Sequence, residues 1–115
     1  MTTVSEAVEQ IKAGKSLAGA NLAGLDFSGQ DLSGADLSGA NLKGAILRDC
    51  NLEGANFSRA MLNEADLSYT NLKDADLTGA SLKRANLTRS IRIGTRVNKW
   101  AMKKAYIAGA AAYRD

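Results

Sequence analysis

Leucine or phenylalanine occupies every fifth position of the central part of the chain, without a gap. The residue two places earlier is usually alanine, and Asn or Asp usually lies between them. Eight of the 11 glycines come two residues after the central apolar residue. The unit is therefore Ala-(Asp/Asn)-Leu-X-Gly in tandem, and its central positions are Leu17, Leu22, Phe27, Leu32, Leu37, Leu42, Leu47, Leu52, Phe57, Leu62, Leu67, Leu72, Leu77, Leu82 and Leu87.

A period of five fits neither regular secondary structure. Five residues advance about 500° along an α-helix, so successive leucines would step about 140° and form no apolar stripe. On a strand, an odd spacing would send alternate leucines to opposite faces. A chain that turns a corner every five residues instead points every central side chain at one axis, and glycine permits such corners. The pattern therefore predicts an all-β solenoid.

A second period, of 20 residues, indicates how many corners make one coil. At the small position before the central residue, Gln30, Cys50, Thr70 and Ser90 replace alanine at intervals of 20. Four five-residue sides per coil would place these residues in one column. We therefore expect a solenoid of square cross-section with about four coils over residues 15–89.

Residues 15–89 resemble the pentapeptide repeat family, whose consensus is A(D/N)LXX. The resemblance implies a right-handed quadrilateral β-helix. It also implies that the central Leu or Phe and the preceding small residue both face inward.

The residues on either side of the repeats each predict a short helix. Ser5 is the expected N-cap of the first helix, and Gly14 is expected to end it. A second helix is expected over about residues 96–112, with Trp100 anchoring it on the last coil. The resemblance adds a homodimer contact through this helix, which can coexist with simple capping. The chain thus divides into an N-terminal capping helix (1–14), 15 repeats (15–89) and a basic C-terminal cap with its helix (90–115).

Charge is segregated along the chain although the net charge is only +3. Residues 1–76 hold six Lys and Arg against eleven Asp and Glu, whereas residues 77–115 hold nine against one. The basic end predicts contact with an anionic partner, either an acidic protein face, a nucleic acid or a membrane surface. Such binding should weaken steeply with salt. The alternative is a solvated cap, and the candidate partner-binding residues are Arg84, Arg89, Arg92, Arg96, Lys99, Trp100, Lys103 and Lys104.

The sequence contains few residues of the kinds that commonly catalyse reactions. It contains no histidine, and its single cysteine, Cys50, lies at an inward position where it replaces alanine. The carboxylates follow the repeat consensus, so we expect them to serve the scaffold. We predict no catalytic residue, metal site, cofactor or small-molecule substrate. Neither a signal peptide nor a membrane span is evident, so a cytoplasmic location is expected.

The leading functional hypothesis is a non-enzymatic protein-interaction module or scaffold that presents flat faces and a basic end to an unidentified protein partner. Ile46 and Tyr69 replace polar residues at outward positions and are candidates for a contact patch. The resemblance adds an alternative, which is mimicry of DNA toward DNA gyrase or topoisomerase IV, as in quinolone-resistance members of the family. That alternative requires negative charge, which only residues 1–76 carry.

Overall fold

The computed structural model describes residues 2–107, most of which form a stack of coils joined by parallel backbone pairing. Each pairing joins two residues that lie 20 apart in the sequence, such as Asn21 with Asn41. This register agrees with four five-residue sides in each coil. The paired columns are Asn21, Asn41, Met61 and Ser81; Asp26, Ile46, Asp66, Asn86 and Tyr106; Asp31, Asn51, Asn71 and Ile91; and Asp36, Asn56, Asp76 and Arg96.

A β-turn closes each side of the coil. The carbonyl of the central residue accepts a hydrogen bond from the N–H three residues on, as in Ala40 N to Leu37 O at 3.1 Å. The third residue of the turn has a positive φ at every fifth position from Gly14 to Gly94. A type II turn requires this conformation, which glycine adopts without strain. Seven other residues also adopt it: Asp49, Arg59, Glu64, Tyr69, Asp74, Arg84 and Arg89.

The core runs along the axis of the stack. All of the predicted central residues from Leu17 to Leu87 are buried, which confirms the inward assignment. Each buried Leu or Phe contributes about 1.5–3 kcal/mol to folding, so these columns supply most of the driving force. Each coil packs mainly on its neighbours, so the stability of the stack is close to a sum over coil interfaces.

Helix α1 spans Val4–Lys12 and contributes Ala7 and Val8 to the buried core. Its N-cap is Thr3, whose hydroxyl accepts a hydrogen bond from the Glu6 N–H at 3.2 Å. The Thr3 N–H in turn donates to Glu6 Oε1 at 2.9 Å, which completes a capping box. The prediction that Ser5 is the N-cap is therefore wrong.

Coil pairing continues beyond the last leucine repeat. Strand β1 (Asp76–Leu77) pairs in parallel with strand β2 (Arg96–Val97), and Tyr106 pairs with Asn86. Helix α2 spans only Lys99–Lys103, and its N-cap is Asn98. The expected helix therefore does not begin near residue 96, because the backbone there is bonded to the coil below. The remainder of that prediction, beyond residue 107, lies outside the described residues.

Candidate functional site

An aromatic and cationic cluster lies on one side of the stack, which we call the Tyr69 face. The Arg48 guanidinium lies 4.5 Å from the centre of the Tyr69 ring, in the adjacent coil. Arg48 Nη1 also donates to the Ser68 hydroxyl at 3.1 Å, and its Nε lies 3.7 Å from Asp49 Oδ2. Tyr69 is 45% exposed, and Ile46 lies in the same column as Asp66. The Tyr69 face is defined by residues 46–49 and 66–69.

The scaffold fixes these side chains firmly. Ser68 is buried, and its hydroxyl donates to Asp66 Oδ1 at 2.5 Å while accepting from Arg48. Tyr69 holds a left-handed backbone because its N–H donates to Thr88 O at 2.9 Å in the next coil. Sequence reasoning singled out Ile46 and Tyr69 but missed Arg48, which the 20-residue register places beside Tyr69. The result is a preorganised aromatic–guanidinium pair on a rigid surface.

The predicted basic end is only partly available for contact. Arg92 is just 6% exposed, so it does not present its charge to a partner as predicted. Its place in the sequence explains this burial, because it follows Leu87 by five residues and thus takes the inward central position. Other predicted cations are paired within the chain: Arg84 Nε lies 3.7 Å from Glu64 Oε2, and Arg96 Nη2 lies 3.2 Å from Asp76 Oδ2. The predicted cations that the structure leaves exposed and without a described ion pair are Arg89, Lys99, Lys103 and Lys104.

Trp100 does not anchor the C-terminal segment on the core. The indole is 72% exposed, and the Lys103 ammonium lies 4.6 Å from its centre. The residues of this segment that pack against the core are Val97, Ala101, Met102, Ala105 and Ile107. The prediction of an anchoring role for Trp100 is therefore wrong.

The carboxylates of the repeats serve the turns. Asp36 Oδ1 accepts from the Ser38 N–H at 3.2 Å and from its hydroxyl at 2.7 Å, and Oδ2 accepts from Ser16 Oγ at 2.6 Å. Hydrogen bonds from the Ser16 and Ser38 hydroxyls lower the pKa of Asp36. Asn41 accepts in the same way from the Lys43 N–H at 3.1 Å. Asp and Asn are interchangeable here because both supply an acceptor oxygen to the turn.

Cys50 is buried inside the stack. Its Sγ donates to Phe27 O at 3.0 Å, and in the same column the Thr70 hydroxyl donates to Leu67 O at 2.7 Å. Burial raises the pKa of the thiol from 9.0 to about 11. The thiolate, which is the reactive form, is therefore scarce near neutral pH.

We expect Cys50 in the native protein to react with a disulfide reagent at least about 100-fold more slowly than an exposed cysteine, because two pKa units remove that much thiolate. The control is Ser33→Cys in a Cys50→Ala background, since Ser33 is exposed on the same side of the stack, in the preceding coil. The measurement is the rate of thiol release at pH 8, with and without denaturant. Equal native rates for the two proteins would contradict the buried assignment.

A stacked, four-sided β-solenoid with a leucine core defines a repeat protein whose outward positions are free to vary. The family profile for pentapeptide repeats matches residues 16–49, 47–79 and 55–91, with eight copies. The chain belongs to the pentapeptide repeat family. Its members form right-handed quadrilateral β-helices, in agreement with the four-sided coil described above.

Two solved structures are similar to this chain over most of its length. A pentapeptide repeat protein from Nostoc is 35% identical, with coverage of 92% of this chain and 96% of that chain and a TM-score of 0.60. A pentapeptide repeat protein from the Arabidopsis thaliana thylakoid lumen is 28% identical, with coverage of 84% and 60% and a TM-score of 0.52. No curated protein matches this chain in sequence. Within residues 2–107, no helix is long and apolar enough to cross a bilayer.

Proposed function

We propose that this chain is a non-enzymatic protein-interaction module whose Tyr69 face contacts a partner protein. The observation that carries the proposal is the exposed Tyr69 ring under the Arg48 guanidinium. Tyrosine and arginine are enriched among the residues that dominate binding energy at interfaces. Their fixed positions lower the entropy that binding costs. In this view α1 and the residues after Arg89 cap the stack, and the outward side chains select the partner.

A photo-crosslinking experiment tests this proposal. A benzophenone amino acid replaces Tyr69 in cells that normally make the protein, and a matched protein carries it at Thr78. Thr78 is exposed two five-residue sides away, so it lies on the opposite side of the four-sided stack. We expect a discrete crosslinked protein from position 69 and none from position 78. Crosslinking from position 78 alone, or equally from both positions, would overturn the assignment of the contact face.

Once the partner is purified, Tyr69→Ala is expected to weaken its binding by about 30-fold, which corresponds to about 2 kcal/mol. Thr78→Ala should leave the affinity within twofold. Position 78 lies beside Asp76. If the crosslinker at position 78 captured gyrase or topoisomerase IV, the result would instead favour the DNA-mimic alternative. No contact among the described residues favours that alternative over the Tyr69 face.

A further inference from the structure

We propose that the C-terminal end of the stack docks on the surface of an anionic lipid bilayer. Three of the large apolar side chains that the described residues leave exposed lie at this end: Ile93, Trp100 and Tyr106, at 58%, 72% and 60%. Ile93 lies on the same side of the coil as Ile91, which pairs with Asn71 of the preceding coil. Tyr106 lies in the same column as Asp66, so this end adjoins the Tyr69 face, but the two proposals rest on different residues.

The three side chains surround the end of the stack. Tyr106 pairs with Asn86 on one side, and Ile93 O accepts from the Asp74 N–H at 3.0 Å on the next. Trp100 lies in α2, which occupies the side opposite Ile93, because Lys104 O accepts from the Arg84 N–H at 2.9 Å. Trp100 and Tyr106 therefore lie on adjacent sides of the last described coil, where one flat surface can meet both side chains, and Ile93 lies on the far side.

The charge of this end suits anionic headgroups. Lys99, Lys103 and Lys104 are exposed and form no ion pair with another described residue. The sequence contains no Asp or Glu between Asp76 and Asp115 to offset them. Lysines beside an anionic membrane strengthen binding through the negative potential of its surface.

The apolar side chains favour a membrane over a nucleic acid or an acidic protein. Tryptophan and tyrosine place an apolar ring and a polar tip at the boundary between hydrocarbon and water. Ile93 has no stacking face for a base, and one side of the Trp100 ring is already covered by Lys103.

The experiment uses Trp100, the only tryptophan of the chain, as its own probe. The full chain is mixed with phosphatidylcholine vesicles that contain either about 30% phosphatidylserine or none. With phosphatidylserine we expect a blue shift of the emission and quenching by brominated acyl chains, both reduced by added salt. Equal binding to the neutral vesicles, or no binding to either kind, would overturn the proposal.

Two charge variants of equal net charge test the assignment. K99E/K103E should weaken vesicle binding at least about tenfold, whereas K15E/K43E should leave it within twofold. Lys15 and Lys43 are exposed in the first coils, away from the C-terminal end of the stack. Trp100→Ser, followed by vesicle flotation, should also weaken binding about tenfold while all lysines remain. Equal loss in both charge variants, no loss in Trp100→Ser, or binding to single-stranded oligonucleotides instead of vesicles would contradict membrane docking.

Discussion

Leu52→Asp is expected to unfold the repeat stack, with a loss of more than about 5 kcal/mol in the free energy of unfolding. Leu52 is fully buried, and its N–H donates to Asn71 O at 2.8 Å while its carbonyl accepts from Ala55 N at 3.0 Å. The side chain cannot turn outward without breaking both bonds. A carboxylate there would be desolvated without a partner, and a domain of this size has only about 5–15 kcal/mol to lose.

Circular dichroism during thermal and urea denaturation measures this effect. Lys43→Asp is the control, because Lys43 is exposed at an outward position, and its stability should stay within about 0.5 kcal/mol of the parent. Leu52→Ala should fall between them, with a loss of about 2–5 kcal/mol. If Leu52→Asp and Lys43→Asp melted together, the central column would not be the core.

The core and the register could be predicted from the sequence because each imposes a strict period. A polar side chain at a central position would be buried without water, so only Leu and Phe occur from Leu17 to Leu87. The column of Cys50, Thr70 and Ser90 shows how substitution is tolerated at the small position. Each of these side chains donates to a backbone carbonyl within the stack. The 20-residue spacing of these polar replacements therefore indicates the number of residues in one coil.

The C-terminal end departs from the prediction because backbone pairing does not require leucine. Ile91 pairs with Asn71 although Arg92 takes the next central position. The apolar pattern fails at Arg92, so the sequence predicts that the repeats end at residue 89, whereas the backbone pairing continues to Tyr106. At the N-terminal end, Thr3 and Glu6 have the spacing that a capping box requires, so the sequence contained the information needed to predict Thr3 as the N-cap.

The surfaces were less predictable than the core because the stack limits the choice of outward side chains less strictly than the choice of buried ones. Tyr69 was visible as an apolar residue at a polar position, but its contact with Arg48 depends on two coils meeting in register. Trp100 illustrates the opposite error. Its size suggested an anchor, whereas smaller residues, such as Ala101 and Met102, make the contacts with the core. What the faces bind is set by these outward residues, which the repeat pattern does not specify.

Gly54→Val is expected to destabilise the protein by about 2 kcal/mol through the backbone alone. Gly54 has a φ of +68°, and a Cβ built there would meet no atom within 4 Å. Its N–H donates to Lys73 O at 2.9 Å, so pairing with the next coil holds the left-handed conformation in place. A β-branched residue in that conformation is strained, and the open space excludes a steric clash as the cause.

Two companion variants separate backbone strain from other effects, and urea denaturation measures all three proteins. Gly54→Asn should lose less than half as much as Gly54→Val, because asparagine tolerates the left-handed region. Arg59→Gly should act in the opposite direction, since Arg59 has a φ of +59° and no ion pair among the described residues. Glycine relieves the backbone strain at this position, but it also raises the conformational entropy of the unfolded chain. The net effect should stabilise the protein by about 0.5 kcal/mol. If valine and asparagine cost the same at position 54, or if Arg59→Gly lowered stability, the turn conformation would not explain the glycine at every fifth position.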